Sequence, residues 1–60
     1  MTPTEFATLA KAWPSVPALA ADLGCTRQAV YRYLDGSRHV PGPVARLVRL
    51  LHEHPHLRAA

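Results

Sequence analysis

Apolar residues recur at helical spacing in four short segments of the chain, which glycine, proline and small polar residues separate. Within each segment the apolar positions share one face of an α-helix. These positions are Phe6, Leu9, Ala10 and Trp13; Val16, Leu19, Ala20 and Leu23; Ala29, Val30, Tyr33 and Leu34; and Val44, Leu47, Val48 and Leu51. No segment alternates as a strand does. The pattern therefore predicts an all-α fold, a small four-helix domain that spans residues 1–60 as one unit.

Prolines and a capping motif define the ends of the first and last helices. A T-x-x-E capping box at residues 2–5 starts the first helix. We expect Pro14 to end it, because the residue before a proline avoids the α region. The fourth helix is predicted to begin near Pro43 and to end at Pro55, and a frayed tail is expected over residues 57–60.

The central stretch LAADLGCTRQAVYRYL, residues 19–34, reads as two short helices joined by a tight turn. Gly24 suits the left-handed position just past a helix end, and Thr26 suits the N-cap of the next helix. Ala20 is small enough for the two helices to approach closely, and Cys25 is a small residue that can be buried. Two helices joined at a glycine turn are the pattern of a helix-turn-helix motif.

Two motifs, SVPALAADLGCT and RQAVYRYLDGSRHVPGP, cover residues 15–43, and the match that they begin extends to about residue 51. The first resembles the S-x-x-x-L-A-x-x-L-G-[VC]-[ST] motif of the lambda Cro/CI-type (XRE-like) helix-turn-helix repressors. The second resembles their recognition helix and the loop after it. The resemblance implies that the recognition helix, Thr26–Leu34, lies in the major groove of double-stranded DNA while the helix before it crosses the backbone. It implies a transcriptional repressor, and phage Cro-type regulators, antitoxins and regulators encoded beside phage anti-CRISPR genes all remain open.

The polar residues at the start of the recognition helix then become candidate DNA contacts. Arginine can form two hydrogen bonds with the O6 and N7 atoms of guanine, and glutamine can form two with N6 and N7 of adenine. Tyrosine can touch a thymine methyl group or a phosphate, or can lie at a subunit contact instead. The predicted DNA-binding residues are Thr26, Arg27, Gln28, Tyr31, Arg32, Ser37 and Arg38. For these side chains the alternative is an ordinary solvated helix face.

The charge distribution is compatible with nucleic acid as the partner and equally with a solvated surface in an arginine-rich protein. The chain has a net charge of +3, and residues 24–49 hold five arginines against the single acid Asp35, a local net charge of +4. Planar guanidinium groups pair well with phosphates and guanine edges. Arg46 and Arg49 in the last helix could reach phosphates or simply face solvent.

The small size of the chain predicts a homodimer. A domain of this length buries only about 60% of its unfolded surface and is marginal alone, and the single cysteine, Cys25, allows no intrachain disulfide. That cysteine usage fits a reducing, intracellular setting, and the resemblance implies the cytoplasm of a bacterial cell, for a protein of the bacterium or of its phage. The predicted dimer interface consists of Leu50, Leu51, His54 and Leu57, with a larger intramolecular core as the alternative. A two-fold dimer would bind an inverted-repeat operator with half-sites about 10 base pairs apart.

The remaining chemistry of the sequence gives no sign of an enzyme. His52 and His54 lie on nearly opposite helix faces and Pro55 interrupts the helix before His56, so we expect no metal site. There is no paired-carboxylate arrangement and no nucleophile motif. We expect no cofactor, no small-molecule ligand and no membrane segment, since no run approaches 18 apolar residues. Two alternatives to the repressor stay open: a helical protein–protein interaction module, antitoxin-like or an inhibitor, and a nonspecific architectural DNA-binding protein.

Overall fold

The computed structural model describes residues 1–59. This part of the chain contains four α-helices, a terminal 3-10 turn and no strand. The elements are α1 Pro3–Ala10, α2 Val16–Leu23, α3 Arg27–Asp35, α4 Gly42–Glu53 and the 3-10 turn Pro55–Leu57. The predicted small all-α domain with four helices is confirmed. Within residues 1–59, none of the helices has the length and apolar character needed to cross a membrane.

Side-chain caps start the first three helices, and those of α1 and α3 lie where the sequence predicts them. The hydroxyl groups of Thr2, Ser15 and Thr26 each accept a hydrogen bond from the backbone N–H three residues later, at 3.1 to 3.2 Å. Each cap satisfies one of the N–H groups that a helix start leaves unpaired. Gly24 ends α2 in the left-handed conformation with φ +68°, which a residue with a Cβ adopts only at a cost. The turn between α2 and α3 therefore depends on interactions within a few residues, the left-handed Gly24 and the Thr26 cap.

The first helix ends earlier than predicted, at Ala10 rather than next to Pro14. The N–H groups of Ala12 and Trp13 bond three residues back, to the carbonyls of Leu9 and Ala10 at 3.2 and 3.0 Å, so the chain tightens into a turn. The proline keeps Trp13 out of the α region, which prevents a further helical turn. The indole of Trp13 is nonetheless buried in the core.

Every helix contributes to one hydrophobic core. Four side chains are fully buried at its centre, one from each helix: Phe6, Leu19, Val30 and Val48. The rings of Phe6 and Tyr33 meet edge to face with 5.5 Å between their centroids, a favoured arrangement for aromatic pairs. Because α3 packs against both α1 and α2, its orientation is set by the core rather than by its own short length.

The C-terminal segment is tied to the body of the domain by Arg58. Its Nε donates to the carbonyl of Leu51 at 3.0 Å, and one terminal nitrogen donates to the carbonyl of Ala12 at 2.9 Å. The guanidinium carbon lies 4.7 Å from the centroid of the Trp13 ring, within the range of a cation–π contact. The end of the chain therefore packs across the turn between α1 and α2.

Asp22 in α2 completes this attachment. One carboxylate oxygen accepts the indole N–H of Trp13 at 2.8 Å, and the other accepts the backbone N–H of Ala59 at 3.0 Å. We call Trp13, Asp22 and Arg58 the C-terminal clasp. The predicted frayed tail is wrong for residues 58 and 59, which long-range hydrogen bonds anchor. Leu57 ends the 3-10 turn with its side chain half exposed, and Ala60 lies outside the described residues.

Candidate nucleic-acid interface

The rotation of α3 is fixed by the side that it buries. Ala29, Val30 and Tyr33 are all buried against the rest of the domain. Since successive residues turn by 100° around a helix, these three leave the opposite side of α3 toward solvent. The cap from Thr26 fixes where the helix begins, and therefore which residues lie in its first turn.

The solvent side of α3 carries four of the predicted DNA-binding residues. Arg27, Gln28, Tyr31 and Arg32 occupy an arc of about 140° around the helix, and all four are exposed. Tyr31 keeps 55% of its surface exposed, which is unusual for a large aromatic side chain. Within residues 1–59, none of these side chains has a hydrogen-bond or ion-pair partner. We call these four residues the α3 face; that it binds DNA stays a prediction.

Thr26 stands at the N-terminal end of the α3 face. Its hydroxyl oxygen accepts the Ala29 N–H at 3.1 Å, while its own O–H remains able to donate to another group. The N–H groups of Arg27 and Gln28 point out of the same helix end, which carries a partial positive charge. This end of α3 can therefore meet an anionic group.

The loop after α3 places Ser37 and Arg38 at the opposite end of that helix. The backbone N–H of Ser37 donates to the Asp35 carboxylate at 2.7 Å, which shapes the turn. The backbone N–H of Arg38 donates to the carbonyl of Arg32 at 3.3 Å. The Arg38 guanidinium lies 5.8 Å from the centroid of the Tyr33 ring. Both Ser37 and Arg38 are exposed, so α3 has a polar or cationic group beyond each of its ends.

Within residues 1–59, Asp35 is the acidic residue beside this surface, and it was not among the predicted DNA-binding residues. It lies four residues after Tyr31 and seven after Gln28, on the same side of α3. Hydrogen bonds from Ser37 are the main cause that lowers the pKa of Asp35, and the nearby charge of Arg32 adds to it. The carboxylate is thus partly satisfied within the loop.

The beginning of α2 has fewer donors than an ordinary helix start. Pro17 has no N–H, and the N–H of Ala18 is bonded to the Ser15 hydroxyl at 3.2 Å. The Leu19 N–H is bonded to the Ser15 carbonyl. Val16 has the remaining backbone donor of this turn, so α2 can give a phosphate little more than one N–H contact.

The two arginines of α4 have different surroundings. Arg49 lies 3.6 Å from the Glu5 carboxylate, and both side chains are about half exposed. An ion pair in such a position contributes at most about 1 kcal/mol. Arg46 is exposed and has no ion-pair partner in the described part of the chain. Whether either arginine meets DNA stays a prediction.

The four residues of the predicted dimer interface do not share one environment. Leu50 and Leu57 expose 47% and 53% of their surfaces, and His54 is exposed as well. Leu51 retains only 7% exposure and packs in the core of its own chain. The assignment of Leu51 to a dimer interface is therefore corrected: the rotation of α4 turns this side chain inward and leaves little of it for a partner.

Cys25 and the histidine tail offer little reactive chemistry. Burial raises the pKa of the Cys25 thiol, and the charge of Arg38 opposes this only in part, so the reactive thiolate is disfavoured. The rings of His54 and His56 meet edge to face with 5.7 Å between centroids. Across residues 1–59, no group of three or more histidine, cysteine, aspartate or glutamate side chains converges as metal ligands would.

Comparison with known proteins gives no match to any family model, curated protein or solved structure. A functional assignment for this chain consequently depends on the residues of the α3 face and the charge around it.

Proposed function

We propose that this protein is a sequence-specific DNA-binding repressor that inserts α3 into the major groove. One observation carries the proposal: α3 buries one side in the core and leaves exposed, on the other, polar side chains of the types that can pair with base edges, without partners in residues 1–59. Arginines on an ordinary surface are common, but here Arg27, Gln28 and Arg32 share the side of a helix that follows a glycine turn.

The dimensions of α3 suit the groove. An α-helix with its side chains is about 10–12 Å across, and the major groove of B-DNA is about 12 Å wide. Arg27 and Gln28 are in the first turn, where a recognition helix approaches the base edges most closely. Arg27 would pair with guanine and Gln28 with adenine, each through two hydrogen bonds. Arg32 and Tyr31 would follow one turn later.

Phosphate contacts would hold α3 in register. The Thr26 hydroxyl and the first N–H groups of α3 suit a phosphate at one end of the helix, and Ser37 with Arg38 suit a phosphate at the other. The nine residues of α3 make it about 13–14 Å long. Contacts of this kind set orientation and affinity but carry no sequence information.

Repression would follow from occupancy of an operator that overlaps a promoter, and two copies would supply an inverted repeat. Recognition helices of such a dimer lie about 34 Å apart, one turn of B-DNA. The domain measures 30 × 18 × 18 Å. Two copies side by side therefore have the size needed to present their α3 helices at that separation.

A DNA mobility-shift titration with random and genomic DNA at several salt concentrations tests the proposal. We expect tight binding to a subset of sequences with affinity that falls steeply as salt rises, because bound cations are released from the phosphates. Binding to all sequences alike would instead indicate a nonspecific architectural protein. If the protein did not bind DNA even at low salt, the remaining alternative would be a protein–protein interaction module.

Single substitutions separate base contacts from phosphate contacts. We expect Arg27→Ala or Gln28→Ala to cost about 1–3 kcal/mol on the preferred site and to relax its base preference. Arg38→Ala should weaken binding to all sequences equally. Lys11→Ala, which removes an exposed cation outside the α3 face, is the matched control and should leave sequence preference unchanged. If Gln28→Ala bound DNA with the same affinity and the same base preference as the wild type, the first turn of α3 would not contact the bases.

A further inference from the structure

One strip of α4 faces away from the core and mixes charge with an apolar side chain. Arg46, Leu50 and Glu53 are spaced at i, i+4 and i+7, which brings them onto one face of the helix. All three are exposed, Leu50 by 47%. The buried residues of α4, Ala45, Val48 and Leu51, lie on the other side. We call Arg46, Leu50 and Glu53 the α4 strip.

The two charges of the α4 strip are unpaired within the described residues. Arg49, the nearest arginine off the strip, is engaged with Glu5. Arg46 and Glu53 are about 10.5 Å apart along the helix axis, too far to form an ion pair with each other. An exposed leucine thus lies between a cation and an anion that have no partners in residues 1–59.

A second copy of the same strip would satisfy all three residues at once. In an antiparallel pair of α4 helices related by a two-fold axis near Leu50, each Arg46 lies opposite Glu53 of the other copy. The two Leu50 side chains then cover each other at the axis. A two-fold contact requires a patch that is complementary to itself, and the order cation, leucine, anion has that property. A DNA backbone has no such match, because Glu53 would repel it.

We propose that the α4 strip is the contact surface between two copies of this chain, paired antiparallel through two Arg46–Glu53 ion pairs. This inference rests on the proposed function, which calls for two copies, and adds the residues that join them. In this arrangement Arg46 contacts the partner subunit rather than DNA, and Glu53 takes the place of Leu51 among the interface residues.

The dimer is expected to be weak and concentration-dependent. A standard stable interface buries about 800 Å² per partner, roughly a fifth of the 3885 Å² surface of this domain. One short helix strip covers less than that. The two symmetry-related ion pairs therefore form a large share of the contact, which makes the dimer sensitive to charge reversal.

Sedimentation equilibrium without DNA tests this interface separately from DNA binding. Four proteins are compared over a range of concentrations: the wild type, Arg46→Glu, Glu53→Arg, and the double variant that carries both. Each single reversal places like charges opposite each other twice, and we expect the dissociation constant of the dimer to rise about tenfold or more. The double variant restores opposite charges in exchanged positions and should recover most of that loss.

Lys11→Glu is the matched control, since it makes the same charge change on an exposed residue away from α4 and should leave the dimer unchanged. Circular dichroism establishes that all variants are folded. A wild type that stays monomeric at every concentration would overturn the inference. So would single reversals without effect, or a double variant no better than either single one. Specific DNA binding alongside any of these results would leave the proposed function standing and would rule out the α4 strip as the contact between two copies.

Discussion

Replacement of Arg58 by alanine is the sharpest test of how this small domain is held together. The substitution removes both hydrogen bonds from the guanidinium, to the carbonyls of Leu51 and Ala12. It also removes the contact with the ring of Trp13. The hydrogen bond from the Ala59 N–H to Asp22 remains, so the C-terminal segment should loosen rather than detach completely.

The expected loss follows from these contacts. Hydrogen bonds from charged groups are worth about 1.5–3 kcal/mol when buried, and about 1 kcal/mol each is reasonable for a half-exposed Arg58. The cation–π contact adds about 0.5–1 kcal/mol at such a position. The total is about 2.5–3 kcal/mol, a large part of the roughly 3–9 kcal/mol expected for a domain of this length. Tm should fall by on the order of 10–20 °C.

Urea and thermal unfolding followed by circular dichroism, at one fixed protein concentration, measure this loss. Arg58→Lys keeps a cation near Trp13 but cannot fork to both carbonyls, so its free energy of unfolding should lie between those of the wild type and the alanine variant. Arg27→Ala is the matched control, because that exposed side chain has no partner in residues 1–59, and it should change stability by less than about 0.5 kcal/mol. An Arg58→Ala protein as stable as the wild type would contradict a stabilising role for the C-terminal clasp.

Three further expectations concern single residues. Gly36→Ala should destabilise the fold more than Gly24→Ala: both glycines have positive φ, but a Cβ on Gly36 would also lie 3.0 Å from a proline side-chain carbon, and thermal unfolding compares the two. Cys25 should react slowly with thiol reagents at neutral pH and rapidly after unfolding, because burial raises its pKa; equal rates would contradict this. The pKa of Asp35 is lowered in the fold, so its stabilising effect is present above the ordinary carboxyl pKa of about 4 and is lost as pH falls through the lowered value. NMR titration should show that lowered pKa rise when Ser37→Ala removes the side-chain hydrogen bond.

The helix starts could be predicted because their causes are local. The caps at Thr2, Ser15 and Thr26 join a hydroxyl to an N–H three residues away, and all the atoms involved lie within one turn. The left-handed Gly24 depends on its own backbone alone. Periodicity likewise identified the buried and exposed sides of α3, since burial of one side fixes the other.

What the sequence could not predict depends on contacts between distant segments. The hydrogen bond from Arg58 to Ala12 joins residues 46 positions apart, and neither residue has a local pattern that indicates it. The apolar spacing through Trp13 also predicted a longer α1, because Trp13 is buried even though the helix ends at Ala10. The spacing of Leu51 was compatible with burial in the core and with exposure at a dimer interface. Only the packing of α4 against the other helices shows that this side chain is buried.

The most direct test of base recognition by α3 is the selection of bound sites from a random DNA pool, with the wild type and Gln28→Ala side by side. We expect the wild type to enrich an inverted repeat with half-sites about 10 base pairs apart. The variant should lose preference at one base pair in each half-site and keep the others. No enriched sequence for the wild type, or the same sequence at full strength for both proteins, would contradict a base-reading role for α3.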